Sequence, residues 1–195
     1  SNYRPEFHIF ECAPYCFDHL EKNTDDMETV SIVKKAVSRE SGYAMLNIPT
    51  LPAGVGSGLA SLHRREDSSV AKHKYEKIRI ETVSLDEYIE QTGIKHVDLL
   101  KVDVEGHEPS VFEGASATIR SKTSVVTFEF GSANVNSRTF FRDFWKLFND
   151  LGFDLYRILP CGKLLKIRKY DDHLEYFRGA SNIVCVKRQE DKLPD

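Results

Sequence analysis

The residues best suited to chemistry are gathered in one run, Lys101-Val102-Asp103-Val104-Glu105-Gly106 followed by His107. Side chains alternate along a strand, so Lys101 and Asp103 share one face of it. Burying a charge among Val and Leu is costly, so the two must be paired or line a site. The plainer alternative is that Lys101 pairs with Asp103 or Glu129 and only fixes strand register. Gly106 allows close approach of backbone to a ligand, and His107 follows on the exposed turn. A histidine beside two acids at a strand end is a candidate general base, tunable across neutral pH. Glu129 ends the next apolar run and should lie beside Asp103 if the strands are neighbours.

Glu11 is the second candidate. An acid that closes a short apolar strand, as in Ile9-Phe10-Glu11, is placed to accept hydrogen bonds from ribose hydroxyls. Cys12-Ala13-Pro14 follows, so capping the next helix competes evenly for the same carboxylate. Gly54, Gly56 and Gly58 resemble a phosphate loop only superficially, because no Lys-Ser/Thr follows, and they read better as a flexible lid. A Gly-x-Gly-x-x-Gly fingerprint is absent, which ranks a nicotinamide-dependent enzyme low. Asp103, Glu105 and Glu129 offer hard oxygen ligands, yet nothing in their spacing demands a metal. Cys12, Cys16, Cys161 and Cys185 lack zinc-ligand spacing and read as reduced thiols, three of them in or beside strands.

The elements that must position these groups alternate between extended and helical patterns. Glu6 to Glu11 reads as a strand, Pro14 to about Asn23 as a helix, and Val30 to Val37 as the next strand, closed by Ser41-Gly42. Tyr43 to Ile48 is extended, Pro49 to Ser69 is one long loop, and Ile78 to Val83 is a strand. Ser84 caps a helix from Leu85 to Thr92, with Glu87 at the capping-box position and Gly93 as its stop. Val97 to Val104 is apolar enough to be buried on both faces of a parallel sheet. Val111, Phe112, Ala115 and Ile119 have helical spacing, and Ser124 to Phe130 is a strand. Phe140, Phe144, Leu147, Phe148 and Leu151 form a helical stripe that belongs to the core. Phe153 to Leu159, Lys163 to Ile167 and Asn182 to Val186 complete the strands.

Strands alternating with helices imply parallel βαβ units, and the final strands imply an antiparallel edge. The fold class is therefore α/β, a doubly wound sheet with an antiparallel C-terminal end, in one domain over residues 1–195. Ligands bind such sheets outside the carboxyl ends of the strands, which directs attention to Glu11, Ser38, Asp103 to His107 and Glu129. The chain is 41% hydrophobic and 29% charged with a net charge of −3, which gives no reason to expect nucleic acid. No apolar stretch is long enough to span a bilayer, and the composition reads as cytoplasmic. Oligomeric state is not legible.

With these residues in view, the sequence resembles the FkbM methyltransferase family. Val83-Ser-Leu-Asp-Glu-Tyr88, Val97-Asp-Leu-Leu-Lys-Val-Asp-Val-Glu-Gly-His-Glu108 and Val111-Phe-Glu-Gly-Ala115 are similar to its central signature. Phe10-Glu-Cys-Ala-Pro14, Ala36-Val-Ser38, Leu151-Gly-Phe153 and Asn182-Ile-Val184 resemble its flanking segments. The resemblance implies a class I, Rossmann-like fold that uses S-adenosyl-L-methionine to methylate a hydroxyl of a small molecule, sugar or glycan. It implies Glu11 as the ribose acid, Ala36, Val37 and Ser38 as neighbours of the adenine, and Asp103, Glu105 and His107 near the methyl group and acceptor. Asp103 or His107 would serve as base, with Lys101 beside them. The family pattern begins with a strand and a glycine-rich turn not seen before Glu6, so the sequence is expected to lack an N-terminal segment of the natural protein. The rival reading is a catalytically silent methyltransferase-like binding module.

Overall fold

A computed structural model describes residues 4–51, 54–55, 60–62, 74–175 and 180–189. β1 (Phe7–Phe10) leads into α1 (Pro14–Thr24), whose first turn carries the proline that cannot donate there in any case. β2 (Val30–Val33) returns parallel to β1, with Phe7 opposite Val30 and Phe10 opposite Val33. The single strand expected over Val30–Val37 is broken. After Val33 the chain tightens, with Lys35 N–H donating to Val33 C=O at 2.9 Å. Ala36–Val37 (β3) then joins a different sheet. Lys34 and Lys35 occupy the break, paired to Glu21 at 2.6 Å and Glu81 at 2.9 Å. Consecutive charges that each need solvent cannot both face the interior of one strand.

β4 (Gly42–Leu51) and β6 (Lys74–Val83) pair antiparallel over their full length, from Gly42 opposite Thr82 to Thr50 opposite Lys74. β5 (Gly54–Val55) borders β4, and β3 borders β6. The loop expected over Pro49–Ser69 therefore begins as strand. Its residues 52–53, 56–59 and 63–69, with Gly56 and Gly58, lie outside the described residues. Residues 60–62 return against β4 through a bridge between Asn47 and Ser61.

α2 (Leu85–Thr92) starts as expected, with Ser84 Oγ accepting from Glu87 N–H, and it stops at Gly93 with φ 71°. The reciprocal half of the capping box is not made, because the Glu87 carboxylate takes Ser41 Oγ and Gln91 instead. β7 (Val97–Val102) runs parallel to β8 (Thr123–Phe130). Between them lie α3 (Glu108–Glu113) and α4 (Ser116–Lys122), two helices where the spacing of Val111 to Ile119 suggests one. The break falls at Gly114, where a Cβ would come within 2.1 Å of the Ser38 carbonyl oxygen. α5 (Ser132–Asn136) and α6 (Phe141–Asp150) follow, then β9 (Phe153–Ile158), β10 (Leu164–Ile167) and β11 (Ser181–Lys187).

These strands make three separately hydrogen-bonded sheets, where one continuous sheet was expected: β1-β2, β3-β6-β4-β5 and β10-β9-β11-β8-β7. The antiparallel C-terminal end is present, with β11 inserted between β8 and β9. β7 is not buried on both faces: Val102 is its one buried residue, and Leu99 is 60% exposed. The cause is that β8 is its sole strand partner among the described residues. Of the cysteines, Cys185 alone lies in a strand. Cys12 precedes α1, Cys16 is within it, Cys161 sits between β9 and β10, and all four are free thiols. No described helix is long and apolar enough to cross a membrane.

The main core is aromatic. From α6, Phe141, Phe144 and Phe148 meet Phe112 from α3 and Phe128 and Phe130 from β8, whereas Phe140, expected in the buried stripe, caps the helix and is 46% exposed. Phe112 stands edge-on to Phe148 at 5.0 Å between centroids, and Phe128 stacks on Phe148 at 5.5 Å. Edge and offset contacts of this kind add to the burial of the rings themselves. This cluster fixes the helices that follow β7 and β8, and so the tips of both strands. Phe148→Ala is expected to destabilise the protein by about 3–5 kcal/mol in urea unfolding.

Candidate active site

The tips of β1, β3, β7 and β8 open onto one cavity of about 360 Å³. Glu11, Ala36, Val37, Asp103, Glu105 and His107 all line it, as does Glu129. Lys101 and Ser38 do not.

At the first tip, Glu11 Oε1 accepts from the backbone N–H groups of Cys12 and Ala13, both at 2.7 Å. The capping role and the cavity role are thus held by one carboxylate: Oε1 orders the start of α1, while Oε2 makes no hydrogen bond to a described residue. Cys12 lines the cavity beside it. Burial, then the Glu11 charge, push the Cys12 thiol up to about 12. It is a neutral wall and not a thiolate nucleophile.

At the second tip, Ala36 and Val37 present apolar surface. Lys35 also lines the cavity, with its ammonium held by Glu81. Ser38 faces another partner, since its Oγ is 2.9 Å from His107 Nε2.

The third and fourth tips emerge together. Val102 pairs with Phe128, and the next residues, Asp103 just past β7 and Glu129 within β8, both line the cavity. Lys101 Nζ sits 2.7 Å from Asp103 Oδ2, the pairing weighed as the plainer reading. Neither charge is buried, with the side chains 61% and 43% exposed. The burial expected for Lys101 fails for the same reason as that of its strand. The chain then turns through Glu105 at φ 52° and Gly106 at φ 94°. The left-handed conformation costs Glu105 about 1–2 kcal/mol. Its carbonyl accepts from Ser61 Oγ at 2.8 Å. Gly106 cannot carry a side chain, because a Cβ would lie 2.6 Å from the Ala133 carbonyl oxygen. His107, expected on the exposed turn, is 8% exposed and stands at the cap of α3. Burial and its bond to Ser38 make it a less available base than Asp103.

Glu108 was not singled out by sequence reasoning. It is 2% exposed, and its Oε1 accepts from Val104 N–H at 3.1 Å and Gly106 N–H at 3.3 Å. Asn134 Nδ2 donates to Oε2 at 2.6 Å. An acid at the first helical position looks like ordinary dipole complementation, and Asn134 gives no local hint of a long-range partner. Ser61 was missed because it falls inside an apparently featureless loop.

Mixed α/β sheets with an acid-lined pocket at the tips of parallel strands are compatible with a methyltransferase fold. The chain belongs to the family described as the methyltransferase FkbM domain, which matches residues 2–155. It is also 30% identical over 118 residues to the hexuronic acid methyltransferase AglP of Haloferax volcanii. That alignment covers 60% of this chain and 44% of AglP, so it spans less than half of the relative. No solved structure matches the chain.

Burial raises the Glu108 carboxyl above the usual carboxylate range, against the lowering effect of its N–H donors. The folded state therefore holds this proton to higher pH than the unfolded chain does. The stability contributed by the protonated form is present below the ordinary carboxylate range and is lost as pH rises through the folded pKa. Glu108→Gln should remove that part of the pH dependence. Thermal unfolding of both proteins between acid and neutral pH checks it, and parallel curves would contradict it.

Proposed function

We propose that the protein is an S-adenosyl-L-methionine-dependent O-methyltransferase, a class I domain acting on a hydroxyl of a small molecule, sugar or glycan. The observation that carries this reading is that Glu11 and Asp103, from separate sheets, line the same cavity. The residues present fit the cofactor. Glu11 has an oxygen left for a ribose hydroxyl, Ala36 and Val37 offer an apolar wall for a purine, and the acids at the β7 and β8 tips suit a positive centre. The cofactor, when bound, supplies a methyl group already made electrophilic by its sulfonium.

The chain's own work is then positioning and proton removal. Holding an acceptor oxygen in line at about 3–3.5 Å provides much of the rate. Asp103 is the base we favour, because Lys101 engages one of its oxygens and orients the carboxylate at the cavity rim. A base in this role contributes about 10²–10⁴-fold. Glu105 and Glu129 would accept hydrogen bonds from other acceptor hydroxyls. The name of AglP supports a carbohydrate acceptor.

Isothermal titration of the full-length protein with S-adenosylhomocysteine tests the reading, together with transfer of labelled methyl to a panel of neutral sugars and hexuronates. Glu11→Gln should weaken S-adenosylhomocysteine about tenfold or more, as expected for a hydrogen bond to a charged group. Asp103→Asn should lower turnover about 10²-fold or more. Absence of heat for the wild type at high micromolar ligand would instead favour a silent binding module.

A further inference from the structure

Asp103 and Glu105 follow β7, while Glu129 lies one residue before the end of β8, opposite Asn182 of β11. The β7–β8 ladder ends at Val102 and Phe128, so strand pairing does not fix how the turn carrying Asp103 and Glu105 sits relative to β8. Beyond it, the two chains are joined through side chains. Glu108 takes the N–H groups of Val104 and Gly106, the two residues that flank left-handed Glu105. Its other oxygen takes Asn134 Nδ2. Asn134 is itself 2% exposed, and its Oδ1 accepts from Gly131 N–H at 2.8 Å, two residues past Glu129. Every polar atom in this chain of bonds has one permissible direction. The carboxylate can only accept, so the amide must donate to it, which leaves Oδ1 for Gly131.

We infer that Glu108 and Asn134 form a positioning pair that sets the carboxylates of Asp103 and Glu105 relative to Glu129 across the cavity. The inference rests on the methyl-transfer reading of that cavity, and it assigns the pair no contact with substrate. A buried pair whose members each bind backbone beyond the end of a ladder does what further strand pairing would otherwise do. It also leaves the tips open to a ligand, which a continued ladder would not.

The direction of the bonds supplies the test. Glu108→Gln alone points an NH₂ group either at the two backbone donors or at Asn134 Nδ2. Asn134→Asp alone sets a second carboxylate against the first. Made together, the two substitutions exchange amide for carboxylate and restore the pattern. The amide oxygen introduced at position 108 accepts from Val104 and Gly106, and its nitrogen donates to the carboxylate introduced at position 134. The second oxygen of that carboxylate then accepts from Gly131. Net charge and side-chain length are unchanged. Amide exchange at Val104, Gly106 and Gly131 and calorimetric affinity for S-adenosylhomocysteine are measured well below each protein's unfolding midpoint. Each single variant should lose protection at these amides and about tenfold in affinity while folded, as for a buried donor left unpaired. The double variant should recover both. Folded single variants that bind like the wild type, or a double variant no better than the singles, would overturn the inference. If the wild type fails to bind S-adenosylhomocysteine, the methyltransferase reading falls instead. Exchange still decides the linkage, and unchanged protection in Glu108→Gln would refute it.

Discussion

A carboxylate that leaves water must find donors, and the Glu108 side chain finds three within one turn of chain and a neighbouring helix. That requirement shapes the whole centre of the molecule. Val104 and Gly106 can offer their N–H groups to one oxygen only if the backbone between them reverses, which puts Glu105 and Gly106 in the left-handed region. The reversal brings the chain so close to α5 that Gly106 must lack a side chain. Glu105 accepts local strain because the bonds on either side of it over-determine its conformation.

Around this turn the three sheets are held in register without sharing a ladder. Ser61, bridged to β4, donates to the Glu105 carbonyl. Ser38, just past β3, bonds His107. Gly114, at the α3–α4 break, lets the Ser38 backbone approach the helices. Tyr88 of α2 meets β1 from the other side, through His8 Nδ1 at 2.7 Å and the edge of Phe10. The cavity is the space these contacts leave where four strands end. It combines an apolar wall with fixed acids, the pairing on which the proposed cofactor reading rests.

Much of this was legible from local pattern. The Ser84 cap, the Gly93 stop and the Phe144 and Phe148 stripe of α6 depend on neighbours a few residues away and fell where expected, although Phe141 takes the buried place read for Phe140. The adjacency of Asp103 and Glu129 followed once two apolar runs were read as parallel neighbours. The misreadings share a cause, which is that they depended on partners distant in sequence. The Val30–Val37 strand splits because its two halves serve different sheets. β7 reads as a doubly covered strand from its Leu and Val, yet coverage depends on what lies beside it. His107 reads as a solvated turn residue, yet it is buried, with Ser38 from just past β3 bonded to its ring. Glu108 was passed over because burial of an acid at a helix start cannot be inferred without Asn134.

The family assignment and the cavity bear on one central claim, that acids from separate sheets converge on a single nucleoside-bearing ligand. A crystal structure of the full-length protein soaked with S-adenosylhomocysteine tests it most directly. The account predicts the ribose hydroxyls on Glu11 Oε2, the purine against Ala36 and Val37, and the sulfur toward Asp103 and Glu105. Ligand bound elsewhere, or lying in the cavity with Glu11 turned wholly onto the start of α1, would contradict it.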